Sequence, residues 1–219
     1  MATRHKFLTI SSSALGAIHP LAALAQDKYP SAPVKVVVPF PPGGTTDAVA
    51  RILAAGLRER LGQPFVVENR PGVSGGVGSQ QVARSAPDGL TLLVNNASFP
   101  LNALVMETAG KAMFKFPGEF KSIAILINVP VVLMVHPNVA AKDLKEYVAL
   151  LKGNPALTHN YGMTGAGSFL HLVFEILKAE AGIKLEGVSY RGAAPMVQDL
   201  ITGQIQIAGD QLPTSLGRI

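Results

Sequence analysis

Two short stretches combine glycines, hydroxyl side chains and the onset of helical periodicity, a combination suited to holding an anion. The first is Pro41-Pro42-Gly43-Gly44-Thr45-Thr46-Asp47 and the second is Thr164-Gly165-Ala166-Gly167-Ser168. A glycine-rich loop that opens into a helix exposes backbone N–H groups, and the helix N-terminus adds a partial positive charge. Together they make an anion site that needs no lysine or arginine, and Thr45, Thr46 and Ser168 add hydroxyl donors. If the two halves of the chain face each other, both loops grip one anionic ligand. From spacing alone the plainer reading of each loop is a tight turn with helix caps. His171, in the first turn after the second loop, can donate to a bound carboxylate or pack as a neutral side chain. Asp47, at a helix start, complements the helix dipole more readily than it catalyses. Asp210 follows a predicted strand and can face the same cleft.

Other chemistries find less support. No loop carries the Gly-Lys-Ser/Thr of a phosphate-binding P-loop. Gly162-x-x-Gly165-x-Gly167 has the wrong spacing for a dinucleotide turn, and no Gly-x-Gly-x-x-Gly follows a strand in the first half. Gly72-Val73-Ser74-Gly75-Gly76 matches the Gly-x-Ser-x-Gly of a nucleophile elbow, so an esterase built on Ser74 is the enzymatic rival. That motif follows Asn69-Arg70-Pro71 rather than a strand end. His136, His159 and His171 form no His-x-x-x-His pair. No nucleophile–base–orienter set is visible, so a binding protein is expected, with no enzyme activity, no metal and no cofactor.

Composition narrows the setting. The chain has 219 residues, 48% hydrophobic and 15% charged, which argues for a packed core and against disorder. It has no cysteine, which excludes disulfides and thiolate metal sites. No apolar run reaches the roughly 18 residues of a membrane-spanning helix. The formal charge is +5, with the basic residues scattered, so no nucleic-acid partner is expected. Arg4, His5 and Lys6 precede an apolar stretch and an Ala23-Leu24-Ala25 cleavage pattern. Residues 1–25 therefore read as an export signal cut after Ala25.

The elements that must position the two loops alternate between strand and helix. Val34 to Val38 reads as a strand, and the apolar spacing of Val49, Ile52, Leu53, Leu57 and Leu61 as a helix, capped by Thr45 or Thr46 and ended by Gly62. Strands follow at Phe65–Glu68 and Leu90–Val94, with a short helix around Gln80–Arg84 between them. Asn95 to Gly118 reads as irregular. Strand-like runs cover Ile123–Ile127 and Val131–Val135. A helix after Asp143, a strand at Leu157–Tyr161 and a helix from Leu170 to Leu177 come next. A strand at Leu185–Tyr190, a helix at Pro195–Ile201 and a strand at Gln204–Ala208 complete the pattern. This alternation predicts an α/β protein with largely parallel sheets in two lobes, 26–126 and 127–219.

Several stretches also carry a family likeness. They are Tyr29-Pro30, Val36 to Asp47, Val67-Glu68-Asn69-Arg70-Pro71-Gly72 and Ala86-Pro87-Asp88-Gly89-Leu90-Thr91-Leu92-Leu93. In the second half they are Gly165 to Ser168 with His171-Leu172, Tyr190-Arg191-Gly192 with Ala194-Pro195, and Asp199-Leu200 with Gly203-Gln204. In order and spacing the chain resembles the Bug/TctC-type periplasmic solute-binding proteins of tripartite tricarboxylate transporters. The resemblance implies a two-lobed periplasmic-binding-protein fold of type II, monomeric, closing on a small organic acid. The partners it implies are the membrane permease subunits of a secondary transporter. Carried over, the first loop is Pro42, Gly43, Gly44, Thr45, Thr46 and Asp47, with Ser98 as an addition. The second is Thr164, Gly165, Gly167 and Ser168, with His171, Tyr190 and Asp210 nearby. A sensor that docks on a signalling receptor is an alternative. Lys115 to Phe120 departs from the family pattern. Members also continue beyond Ile219, so a C-terminally truncated, non-functional gene product is a further expectation.

Overall fold

The computed structural model describes residues 29–216, so the stretch expected to be an export signal, residues 1–25, and the last three residues lie outside the described residues. The first lobe is built on β1 (Val34–Val38), a run of valines with one lysine whose four valines are wholly buried. Such a run suits the middle of a parallel sheet, where both faces are covered. β1 does lie in the middle, with β2 (Phe65–Asn69) on one side and β3 (Thr91–Leu93) on the other, both parallel. Val34, Val36 and Val38 share one face and pack on Ala50 and Ala54 of α1 (Thr45–Leu61). Gly62 closes α1 in the left-handed conformation, as its sequence position predicts. Between β2 and β3 lie a 3-10 turn at Val73–Gly75 and α2 (Gly76–Ala83).

The second lobe contains β4 (Val131–Val135), α4 (Leu144–Gly153), β5 (His159–Met163), α5 (Phe169–Ala181), β6 (Leu185–Ser189), α6 (Ala193–Ile201), β7 (Ile207–Gln211) and the short α7 (Leu212–Ser215). Its sheet runs β4-β7-β5-β6, with β4 antiparallel and the rest parallel. The strands bury both faces. Ile207 joins Tyr147, Tyr161, Phe174 and Leu185 on one side, and Ala208 joins Met134, Leu170, Met196 and Ile205 on the other. Asp143 caps α4, its carboxylate accepting the Glu146 amide.

Four readings of the sequence need correction. Asn95–Gly118 is not irregular, because α3 spans Ser98–Thr108. Pro100 falls in its first turn, where no intrahelical N–H is needed. Ile123–Ile127 forms no strand among the described residues. Ile123 and Ile125 are instead over 80% exposed, since no neighbouring strand lends them an edge to pair with. β7 starts three residues later than predicted, so Asp210 lies within a strand rather than after one. The cap of α1 is Gly44, with no side-chain hydrogen bond, because Thr45 is already the first helical residue.

Candidate functional site

The first glycine-rich loop is clamped from within. Gly43 turns the chain at a φ of 85° and Gly44 leads extended into α1. Asp47, one turn in, is buried and reaches back to accept the Gly43 amide at 3.0 Å. Its two carboxylate oxygens also accept Arg51 Nε at 2.9 Å, Arg51 Nη2 at 3.0 Å and Asn69 Nδ2 at 2.9 Å. Asn69 donates its other amide hydrogen to the Phe40 carbonyl at 3.0 Å. Burial would push the Asp47 carboxyl up. The hydrogen bonds from Arg51, Gly43 and Asn69 outweigh that and hold it below the usual carboxylate range. Asp47 is thus occupied in holding the loop against the end of β2.

That clamp leaves the helix start free. Among the described residues the amides of Gly44, Thr45 and Thr46 have no acceptor. The Thr45 hydroxyl is buried and has no hydrogen-bond partner among them. A helix N-terminus normally finds acceptors for such donors.

From Thr46 a polar line crosses to the second lobe. Thr46 Oγ1 accepts Asn96 Nδ2 at 3.4 Å, and Asn96 Oδ1 accepts the Ser98 amide at 2.9 Å. Ser98, buried at the start of α3, accepts the Phe169 amide at 3.1 Å through its own hydroxyl. Phe169 is the first residue of α5, so each lobe presents a helix N-terminus to the shared surface.

The second loop is packed against the first lobe. Ser168 is the N-cap of α5 and accepts the His171 amide at 3.3 Å. His171 Nδ1 accepts the Gly167 amide at 3.2 Å, while its Nε2 lies 3.8 Å from Glu175. Ser74 Oγ donates to the Ala166 carbonyl at 2.9 Å and lies 3.5 Å from that of Thr164. Gly165 is required there, because a Cβ on it would sit 2.7 Å from Ser74 Oγ. Pro41 approaches Gly192, and Val105 approaches Gly167, from the other side.

Two predicted site residues are turned into their own lobe. The Tyr190 hydroxyl donates to Asp199 at 2.8 Å. Asp210 accepts Thr214 at 2.6 Å and Ser215 at 2.9 Å, which folds α7 back on β7. Sequence reasoning missed Asn96, Asn102 and the bridging role of Ser74. Asn102 is buried and donates to the Val73 carbonyl at 2.9 Å, and its Oδ1 has no partner among the described residues. An asparagine in the apolar run of α3 was the available signal.

Ser74 and its neighbour Val73 both have positive φ, 52° and 48°. Each costs on the order of 1–3 kcal/mol of backbone strain, which the lobe contact helps to offset. Ser74→Ala should therefore loosen the ligand-free contact between lobes by about 1 kcal/mol, near a fivefold shift in the closed fraction. Spin labels on cysteines introduced at Arg60 and Lys152 would report it, since the native chain has no cysteine. An unchanged distance distribution would show that Ser74 holds nothing together.

The "Tripartite tricarboxylate transporter family receptor" description, TctC, fits residues 49–219 of this chain. The chain belongs to the TctC family. It is 34% identical to Protein BugT of Bordetella pertussis over 198 residues, 90% of this chain and 60% of that one. The periplasmic binding protein BugD matches in structure with a TM-score of 0.73 at 33% identity, over 87% of this chain and 62% of that one. A Rhodopseudomonas palustris protein solved with adipate gives 0.76 at 34% identity, over 85% and 62%. MatC of the same organism, with bound malate, gives 0.72 at 31% identity, over 86% and 63%. The fold is that of the α/β periplasmic binding proteins, and TctC proteins are solute-binding proteins, not enzymes. The Ser74 hydroxyl is directed at the Ala166 carbonyl rather than at a base. The chain spans 54–61% of the length of the curated relatives it matches.

Proposed function

We propose that this TctC chain binds a small organic carboxylate between lobes 29–126 and 127–216, outside the cytoplasm, for delivery to the membrane subunits of a secondary transporter. The observation that carries this reading is the unsatisfied start of α1. Among the described residues the amides of Gly44, Thr45 and Thr46 have no acceptor and the buried Thr45 hydroxyl has no partner, and Thr46 is linked through Asn96 and Ser98 to the second lobe. A carboxylate supplies the acceptors and the negative charge that this helix end favours. The adipate and malate held by the two Rhodopseudomonas palustris proteins are ligands of that class. The second lobe contributes the backbone around Gly165–Gly167, with Ser98 between the jaws. The Ser168 hydroxyl supports this indirectly, as the cap of α5.

Thermal unfolding and calorimetry with adipate, malate and tricarboxylates test the proposal. A ligand at about 100 times its Kd adds roughly 2.7 kcal/mol of stability. Thr45→Val should weaken that ligand about tenfold, the loss of one hydrogen bond to a charged group. It should leave the ligand-free Tm unchanged or raised, because the hydroxyl it removes has no partner to lose. Full affinity in Thr45→Val would remove α1 from the site.

A further inference from the structure

The second lobe has another cavity, of about 490 Å³, at the opposite end of its strands. The lobe contacts come from residues just after β5 and β6. The cavity lies where β5 and β7 begin and β4 ends, walled by Val139, Leu150 and Leu157 and by His136, His159 and Gln206. Its volume is within the range of small-molecule sites.

The polar groups in its wall differ in how fully they are used. Gln206 is committed, its Oε1 accepting the Asn160 amide at 2.9 Å and its Nε2 donating to the Gly203 carbonyl at 3.1 Å. His159 is 7% exposed, with Nδ1 3.1 Å from the hydroxyl of the buried Tyr147. Burial pushes its imidazole below its usual pKa, and in the tautomer that accepts the tyrosine proton at Nδ1 the ring hydrogen sits on Nε2. His136 Nδ1 accepts the Asn138 amide at 3.2 Å, which places its hydrogen on Nε2 as well. Gly203, at a φ of 79°, stands beside that nitrogen, and a Cβ there would come within 3.4 Å of it. Neither Nε2 has a partner among the described residues. No lysine, arginine or carboxylate lines the cavity.

We propose that this cavity is a second ligand site, taking a monocarboxylate with a hydrocarbon body. The wall joins two histidines able to donate from Nε2 to an acceptor head with three aliphatic side chains suited to a hydrocarbon tail. A dicarboxylate is disfavoured, because the lining holds no lysine or arginine to pair with a second charge beside Val139, Leu150 and Leu157. The site is independent of the α1 helix start and stands whether or not that reading holds.

The test follows the Cε1–H signals of the five histidines in the full chain during titration with hexanoate and with succinate. Hexanoate should shift the His136 and His159 signals saturably, and succinate should not. Ala140→Phe, at an exposed position on the cavity wall, should abolish the shift without lowering the Tm, and Thr45→Val should leave it intact. No saturable shift with hexanoate, an equal response to succinate, or a shift that survives Ala140→Phe would overturn the proposal.

Discussion

Asp47→Ala is expected to lower stability by about 2–4 kcal/mol, because it strands the Gly43 amide and the Asn69 side chain as unpaired groups. It should also abolish carboxylate binding, since Asp47 ties the loop that aims the start of α1. The pH dependence separates charge from shape. The folded carboxyl titrates below its ordinary 3.8. The unfolded state therefore binds the proton first as pH falls, so the stabilisation is complete above about pH 4 and is lost as pH drops through the depressed value. Asp47→Asn removes the titrating group, so urea unfolding at pH 7 should show a wild-type advantage that shrinks toward pH 3. A gap that persists at low pH would assign the effect to geometry alone.

Phe174→Ala should cost about 3–5 kcal/mol, the range for emptying a buried aromatic site. Phe174 has no exposed surface and stacks on Tyr161 with ring centroids 4.4 Å apart. It is the anchor of α5, the helix whose first amide meets Ser98 of the other lobe. Loss of that anchor should also weaken the lobe contact, as the α5 start loses its fixed height above β5. Phe174→Leu, which keeps part of the volume, should cost less in the same urea titration. Equal losses in the two variants would mean that packing volume at this position does not set the stability.

Much of this molecule is legible in one dimension because the relevant physics is local. The valines of β1 specify a doubly covered central strand, the α1 periodicity specifies which face meets it, and Gly62 specifies where the helix stops. Family membership is equally legible, since Val36 to Asp47 and Asn69 to Gly72 are continuous motifs. The elements that were misplaced depend on partners far away in the chain. Ile123–Ile127 has strand composition, but a strand exists only when another edge offers hydrogen bonds. α3 lacks a clear apolar stripe, because its surface is shared between its own lobe and the Gly167 loop.

The candidate site divides along the same line. By itself the sequence determined that two glycine-rich loops open helices and that hydroxyls and amides gather there. Only the tertiary structure decided which of those groups remain free. Asp47, Tyr190, Asp210 and Ser168 are donors and acceptors of the right type, but each already holds a partner within its own lobe. Ser74, Asn96 and Ser98, from separate elements, form the bridge between lobes. The Thr45 hydroxyl is left without a partner among the described residues. Hydrogen-bond capacity belongs to a residue type and can be counted from sequence. Whether it is satisfied depends on which chain segments approach within about 3 Å, and packing alone determines that.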